Sequence, residues 1–238
     1  MPQFLIPAGK KIGDRVDLPP EESHHLAKVL RAEAGDLIRL TDGAGFLFQG
    51  RIVSVSPKGV AARIESASVS KARNGHVILA QGLLKGEKME FVIQKAAELG
   101  AAEVLPFTSS RTVATWKKDP RKLQRWRKIA EAASKQSGRA THLKVEEPVS
   151  LAKILGTPAD DKVVFWEEGG PSAREFLAGR RPERMIILIG PEGGLSQEEV
   201  DLAFANGFVV LSLGPLVLRA ETAAITALSI VQYELENI

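Results

Sequence analysis

Cysteine is absent from this 238-residue sequence. Disulfides, thiolate metal sites and thiol nucleophiles are therefore excluded. Histidine is scarce, with four copies and none at zinc-ligand spacing, so no metal is expected. Long apolar runs are missing too. None approaches the roughly eighteen residues of a membrane span, and no early stretch reads as a secretory signal. No membrane association is expected, and a cytoplasmic protein is. Hydrophobic residues make up 44% of the chain and charged residues 26%. That balance suits a soluble globular protein of one or two domains with a sizeable core.

One segment lacks acid. The net charge is only +3, but residues 111–144 carry eleven Lys/Arg against two acids, Asp119 and Glu131. Residues 145–238 reverse the balance, with seven Lys/Arg against fifteen Asp/Glu. A strongly basic segment inside a balanced chain is the footprint of a polyanion partner. A helix is expected from about residue 119 to 138. Arg121, Arg125, Lys128, Lys135 and Arg139 recur at a spacing that puts them on one face of it. Leu123, Trp126, Ile129, Ala130 and Ala133 supply an apolar side. Charge runs are commonly solvated faces, but this one lacks the interleaved acids of such faces. RNA is the expected contact, with Arg111 at the start of the same region.

Residues 1–70 read as a small β-rich domain, with short strands near 4–7, 16–18, 36–41, 45–55 and 60–64 and turns at 42–43 and 57–59. A helix over about 21–32 carries Leu26, Val29 and Leu30 as an apolar stripe. It also places His24, Lys28 and Arg31 on another face, as a solvated edge or a phosphate contact. The polar stretch 66–75 is the expected domain boundary. From residue 73 to 238, strand and helix patterns alternate. Strands are expected at 77–84, 103–106, 162–166 and 185–189, and a helix at 88–99. This predicts an α/β fold with a mostly parallel sheet covered on both faces. Lys85 sits in a strand-to-helix turn, where it could face a ligand.

The last fifty residues hold two unusual turns. The apolar run 185–189 meets Gly190, Pro191, Glu192, Gly193 and Gly194. Ser196 and Glu199 then form a capping box that opens a helix. Alone, such a turn is either a tight βα connection or a ligand loop. The second turn, 213–218, is almost wholly apolar, yet Gly214 and Pro215 forbid regular structure there. An apolar irregular loop suggests a pocket lining, because loops normally face water. Arg219, Glu221 and Thr222 follow at once. Arg219 and Glu221 read either as a helix-start ion pair or as functional groups.

Residues 189–194 (Ile-Gly-Pro-Glu-Gly-Gly) and 218–223 (Leu-Arg-Ala-Glu-Thr-Ala) resemble the motifs of the SPOUT RNA methyltransferases. More narrowly they resemble those of the bacterial 16S rRNA uridine-N3 methyltransferases, over the whole chain. The resemblance implies a PUA-like β-barrel over 1–70 and a SPOUT domain over 73–238. It further implies that the two loops form a deep trefoil knot binding S-adenosylmethionine, and that the protein is a homodimer. It makes Glu167, Ile189, Gly190, Gly194, Leu213, Gly214, Leu218, Thr222 and Ala223 the expected cofactor contacts. Uracil N3 is a poor nucleophile while protonated, so the reaction needs a base or an anion stabiliser. Glu221, Arg219 and Glu192 are the candidates. The rival readings are a SPOUT enzyme acting on another position, such as a ribose 2′-hydroxyl, and a non-catalytic RNA-binding module.

Overall fold

A computed structural model of the chain describes residues 3–57, 59–70 and 74–238. The chain forms two compact units: Met1–Ala72 with Ser134–His142, and Arg73–Ala133 with Leu143–Ile238. The expected turn at 57–59 and boundary at 66–75 each include positions outside the described residues, 58 and 71–73.

In the first unit, β1 (Gln3–Leu5), β2 (Arg15–Asp17), β3 (Leu37–Thr41), β4 (Phe46–Ser56) and β5 (Gly59–Val69) form one sheet in the order β1-β3-β4-β5-β2. Its pairings are antiparallel except β1 with β3. Alternate residues turn inward, as strand geometry requires. Phe48 and Ile52 of β4 thereby join Phe4, Leu40 and Ile64 in the core.

The helix expected over 21–32 is corrected. The chain forms only α1 (Pro20–His24), followed by a π turn over His25–Val29. The Leu30 N–H reaches back five residues to the His25 carbonyl, at 3.0 Å. Arg31 then takes a left-handed φ of 52° and ends the run. Only Leu26 of the expected apolar stripe is buried, and Val29 and Leu30 are exposed. A wider turn breaks the 3.6-residue spacing on which that stripe was read.

The second unit holds seven strands, all parallel: β6 (His76–Gly82), β7 (Glu103–Thr108), β8 (Lys144–Val145), β9 (Val149–Ser150), β10 (Asp161–Phe165), β11 (Arg184–Ile189) and β12 (Val209–Leu211). Their order is β12-β10-β11-β6-β7-β8, with β9 also on β7. The helices are α2 (Lys88–Glu98), α3 (Pro120–Gln136), α4 (Leu151–Leu155), α5 (Ala173–Leu177), α6 (Gln197–Ala205) and α7 (Ala220–Glu234). Strand β11 shows why its sequence is continuously apolar. Met185, Ile187 and Ile189 enter a core shared with α2 and α7, while Ile186 and Leu188 enter one shared with α4 and α6. Both faces are covered, as in parallel sheets generally. Ala224 and Ala227, both fully buried, bring α7 close to that core.

Strand order reverses near β10. From β10 the chain steps inward to β11, then returns past β10 to β12 at the edge. Open α/β sheets place ligands at such a reversal, beyond the carboxyl ends of the strands.

Candidate active site

A cavity of about 230 Å³ opens at that point. Phe165 from the end of β10, Ile189 from the end of β11 and Ser212 just after β12 all line it. Both glycine turns meet there. Gly190, Glu192 and Gly194 come from the first, and Leu213, Gly214 and Leu218 from the second.

The first turn is held from three sides. Gln81, fully buried at the end of β6, donates from Nε2 to the Gly190 carbonyl at 3.1 Å. A Cβ on Gly82 would collide with the Pro191 nitrogen, so only glycine lets the turn cross the end of β6. Gly194 has φ +69°, and a Cβ there would run into the Glu167 carboxylate. The capping box is present: Ser196 Oγ accepts from the Glu199 N–H at 3.3 Å, and Glu199 Oε2 accepts from the Ser196 N–H at 3.0 Å. The other Glu199 oxygen accepts from the Ser110 N–H at 2.7 Å. Beside it, hydrogen bonding by Ser196 holds the exposed Glu198 carboxyl below the ordinary carboxylate range.

Arg111 completes this frame. Its Nη1 donates to the carbonyls of Leu195 at 3.2 Å and Gly193 at 3.5 Å. The guanidinium read from sequence as an RNA contact is turned onto the cavity loop.

All three candidate catalytic residues line the cavity. Arg219 is the N-cap residue of α7 and is exposed. Glu221 lies in the first helical turn, where the helix dipole favours a negative charge. Its side chain is 14% exposed, and its buried Oε2 accepts no hydrogen bond. Its ion-pair partner is Lys88, with Nζ 3.7 Å from Oε2, and not Arg219. Glu192 stands across the cavity. Its Oε1 accepts the Lys85 N–H at 2.9 Å and lies 3.7 Å from the same Lys88 Nζ.

Of the expected cofactor contacts, Glu167, Ile189, Gly190, Gly194, Leu213, Gly214, Leu218 and Ala223 line the cavity. Thr222 is exposed on α7 and lies outside the lining. Lys85 meets the site through its backbone N–H, which donates to Glu192 Oε1. The sequence reading passed over Lys88, the first residue of α2. The available signal was a cation at a helix start, where the dipole disfavours it.

The expected RNA-binding residues are more scattered. His24, Lys28 and Arg31 are all exposed in the first unit. Arg121, Arg125 and Lys128 are exposed on α3 around a shallow groove of about 360 Å³ floored by Ile129 and Ala132. Arg125 also pairs with Glu90 at 2.7 Å. Lys135 pairs with Glu22 at 2.7 Å. Arg139 does not share the α3 face: the helix ends at Gln136, Gly138 takes φ +74°, and Arg139 is 5% exposed. Among the described residues, no group of three or more His, Asp or Glu could hold a metal ion.

Two family models match the chain. One describes an RNA methyltransferase PUA domain and covers residues 18–65; the other describes an RNA methyltransferase domain and covers residues 71–232. The chain is 37% identical over 227 residues to the ribosomal RNA small subunit methyltransferase E of Bacillus subtilis, spanning 91% of this chain and 89% of that one. Among solved structures, the enzyme of the same name from Neisseria gonorrhoeae, bound to S-adenosyl methionine, superposes with a TM-score of 0.89 at 29% identity, over 98% of this chain and 97% of that one. A methyltransferase from Legionella pneumophila, in complex with the bound cofactor SAM, gives a TM-score of 0.87 at 35% identity, over 97% and 96%.

Proposed function

The chain belongs to the RNA methyltransferase family, and on that premise we propose that it methylates N3 of an unpaired uridine in 16S rRNA. It is an S-adenosylmethionine-dependent methyltransferase of small-subunit ribosomal RNA, with a PUA-like unit and a SPOUT-type α/β unit. The observation that carries the finer reading is the Glu221 carboxylate, buried against the cavity with an oxygen that accepts no hydrogen bond.

The cavity fits the cofactor chemically. Ile189, Leu213 and Leu218 offer an apolar slot for a purine, and Glu167, Glu192 and Glu221 suit a cation. The Gly190 and Gly194 backbone can be approached closely. When bound, S-adenosylmethionine supplies an activated methyl group on a sulfonium. The protein's part is to place the acceptor in line with it and to manage one proton.

Glu221 is the better placed of the two candidate bases. Glu192 Oε1 already accepts the Lys85 N–H, whereas Glu221 Oε2 accepts no hydrogen bond among the described residues and has the Lys88 ammonium at 3.7 Å, so Glu221 is the carboxylate proposed to take the N3 proton. Arg219, exposed at the cavity rim, can donate to the uracil oxygens as negative charge develops there. The N3 edge is used in base pairing, so the uridine must be unpaired or extruded.

The same reading gives the first unit the task of gripping RNA through His24, Lys28 and Arg31. It includes a deep trefoil knot of the two cavity loops, which the meeting of residues from both at one cavity supports. It also includes a homodimer, supported by exposed Leu216, Val217, Tyr233 and Ile238. The place of work is the cytoplasm, where ribosomal subunits mature; among the described residues no helix is long and apolar enough to cross a membrane.

The deciding experiment is nucleoside mass mapping of 16S rRNA from a strain lacking this protein. The reading expects 3-methyluridine to be missing, and to return when purified protein and S-adenosylmethionine are added to the subunits. A missing 2′-O-methyl nucleoside instead would overturn the N3 assignment.

A further inference from the structure

Lys88 sits where helix energetics do not want it. It is the first residue of α2, and its N-cap neighbour Glu87 makes no side-chain cap. A cation in the first turn opposes the helix dipole, so local stability does not explain it. Its ammonium is 3.7 Å from Glu192 Oε1 and 3.7 Å from Glu221 Oε2. One cation therefore spans two carboxylates that arrive on different elements, one on the turn after β11 and one on the first turn of α7. Its side chain is 41% exposed, whereas those of Glu192 and Glu221 are 24% and 14% exposed. An ordinary surface pair would contribute little to stability. Here the acids are largely withdrawn from water and face one cavity, where like charges repel more strongly than in bulk solvent.

We propose that Lys88 is a positioning residue for methyl transfer: its ammonium ties Glu192 to Glu221 and holds the Glu221 carboxylate in one orientation towards the acceptor base. The assignment rests on the function proposed above. Without the tie, Glu221 keeps its place on α7, but its carboxylate loses its ion-pair partner and turns away from its neighbour. The same ammonium has a second effect. It raises the local positive potential, so it weakens the site's preference for a sulfonium over the neutral thioether of the product.

The test uses the full chain with Lys88→Met and Lys88→Arg, each alone and combined with Glu221→Gln. Methyl incorporation into small ribosomal subunits gives kcat and KM. Calorimetry gives affinities for S-adenosylmethionine and S-adenosylhomocysteine. Lys88→Met is expected to lower kcat about tenfold or more with little change in KM for the subunits. Lys88→Arg should recover most of that loss. In the Glu221→Gln background, Lys88→Met should have little further effect, because residues that act as a unit are not additive.

In the binding assay, Lys88→Met should shift the ratio of affinities towards S-adenosylmethionine by about threefold or more, as removal of a nearby like charge predicts. A rise in KM alone would make Lys88 an RNA contact and overturn the proposal. So would a kcat loss that adds fully to that of Glu221→Gln, or an unchanged affinity ratio. A wild-type protein that binds the cofactor but methylates nothing would sink the proposed reaction instead, while the affinity ratio still scores Lys88.

Discussion

The cavity and the basic helix use charge in opposite ways. At the cavity, two carboxylates, one from the turn after β11 and one from the first turn of α7, converge on a single lysine. Along residues 111–144, cations that share a sequence segment diverge. Arg111 turns to loop carbonyls, Arg125 to Glu90 and Lys135 to Glu22, while Arg139 is buried. The difference follows from what fixes each side chain. Glu192 and Glu221 sit at strand ends and a helix start, where the parallel sheet sets the backbone. Lys and Arg on a helix flank swing on long stems to whatever acceptor lies within reach. Position in the fold therefore fixes where the cavity carboxylates point, whereas charge count alone does not say which way the cations of residues 111–144 turn.

The sharpest way to break this contrast is at the cavity. Glu221→Gln removes the acceptor oxygen while keeping its size, and Arg219→Ala removes the donor. Each is expected to lower methyl transfer by about a hundredfold or more, the usual scale for a lost acid–base or anion-stabilising group. Cofactor affinity should change far less in Arg219→Ala. Single-turnover methylation beside calorimetry checks both, and near-normal turnover in both variants would remove the catalytic assignment.

Gly194→Ala comes next. Its φ of +69° is unfavourable for alanine, and the new Cβ would displace the Glu167 carboxylate. Left-handed strain of this kind costs about 1–3 kcal/mol. The expected result is a loss of urea stability on that scale, with cofactor affinity reduced by about tenfold as the Glu167 carboxylate is displaced. Unchanged affinity would show that the turn tolerates relaxation there.

The sheet was legible because buried parallel strands are continuously apolar, as in 185–189, and because glycine turns and Ser196 mark where strand gives way to helix. The two cavity loops were legible for the same reason. The short helices α4 and α5, five residues each, left no periodicity to read. The π turn after His24 was invisible, since nothing in a composition pattern distinguishes it from a helical turn. Lys88 was missed because its partners lie more than one hundred residues away in sequence, at Glu192 and Glu221. Arg139 was misplaced because helical spacing was extended three residues past Gln136, across Gly138, which ends it.

The smallest expected effect sharpens the contrast on the helix itself. If RNA meets α3 through cations without a side-chain acceptor among the described residues, then Arg121 and Lys128, on the exposed groove, carry the contact. Each phosphate contact contributes a slope of about −0.7 to −0.9 in log K against log salt. Replacing both residues by Gln should flatten the slope for 16S rRNA by roughly one to two units. Arg125→Gln should change it less, because Glu90 already offsets that charge. Lys135→Gln should leave the slope unchanged and instead lower stability, since it strips Glu22, whose side chain is 11% exposed, of its ion-pair partner. Filter binding across a salt series measures the slopes, and urea unfolding measures the stability. Equal slope changes at all four positions would mean that the partners seen here yield to RNA on binding, so that charge count had been the right guide after all. No change at any of them would make the α3 face a solvated surface and move the RNA contact to His24, Lys28 and Arg31.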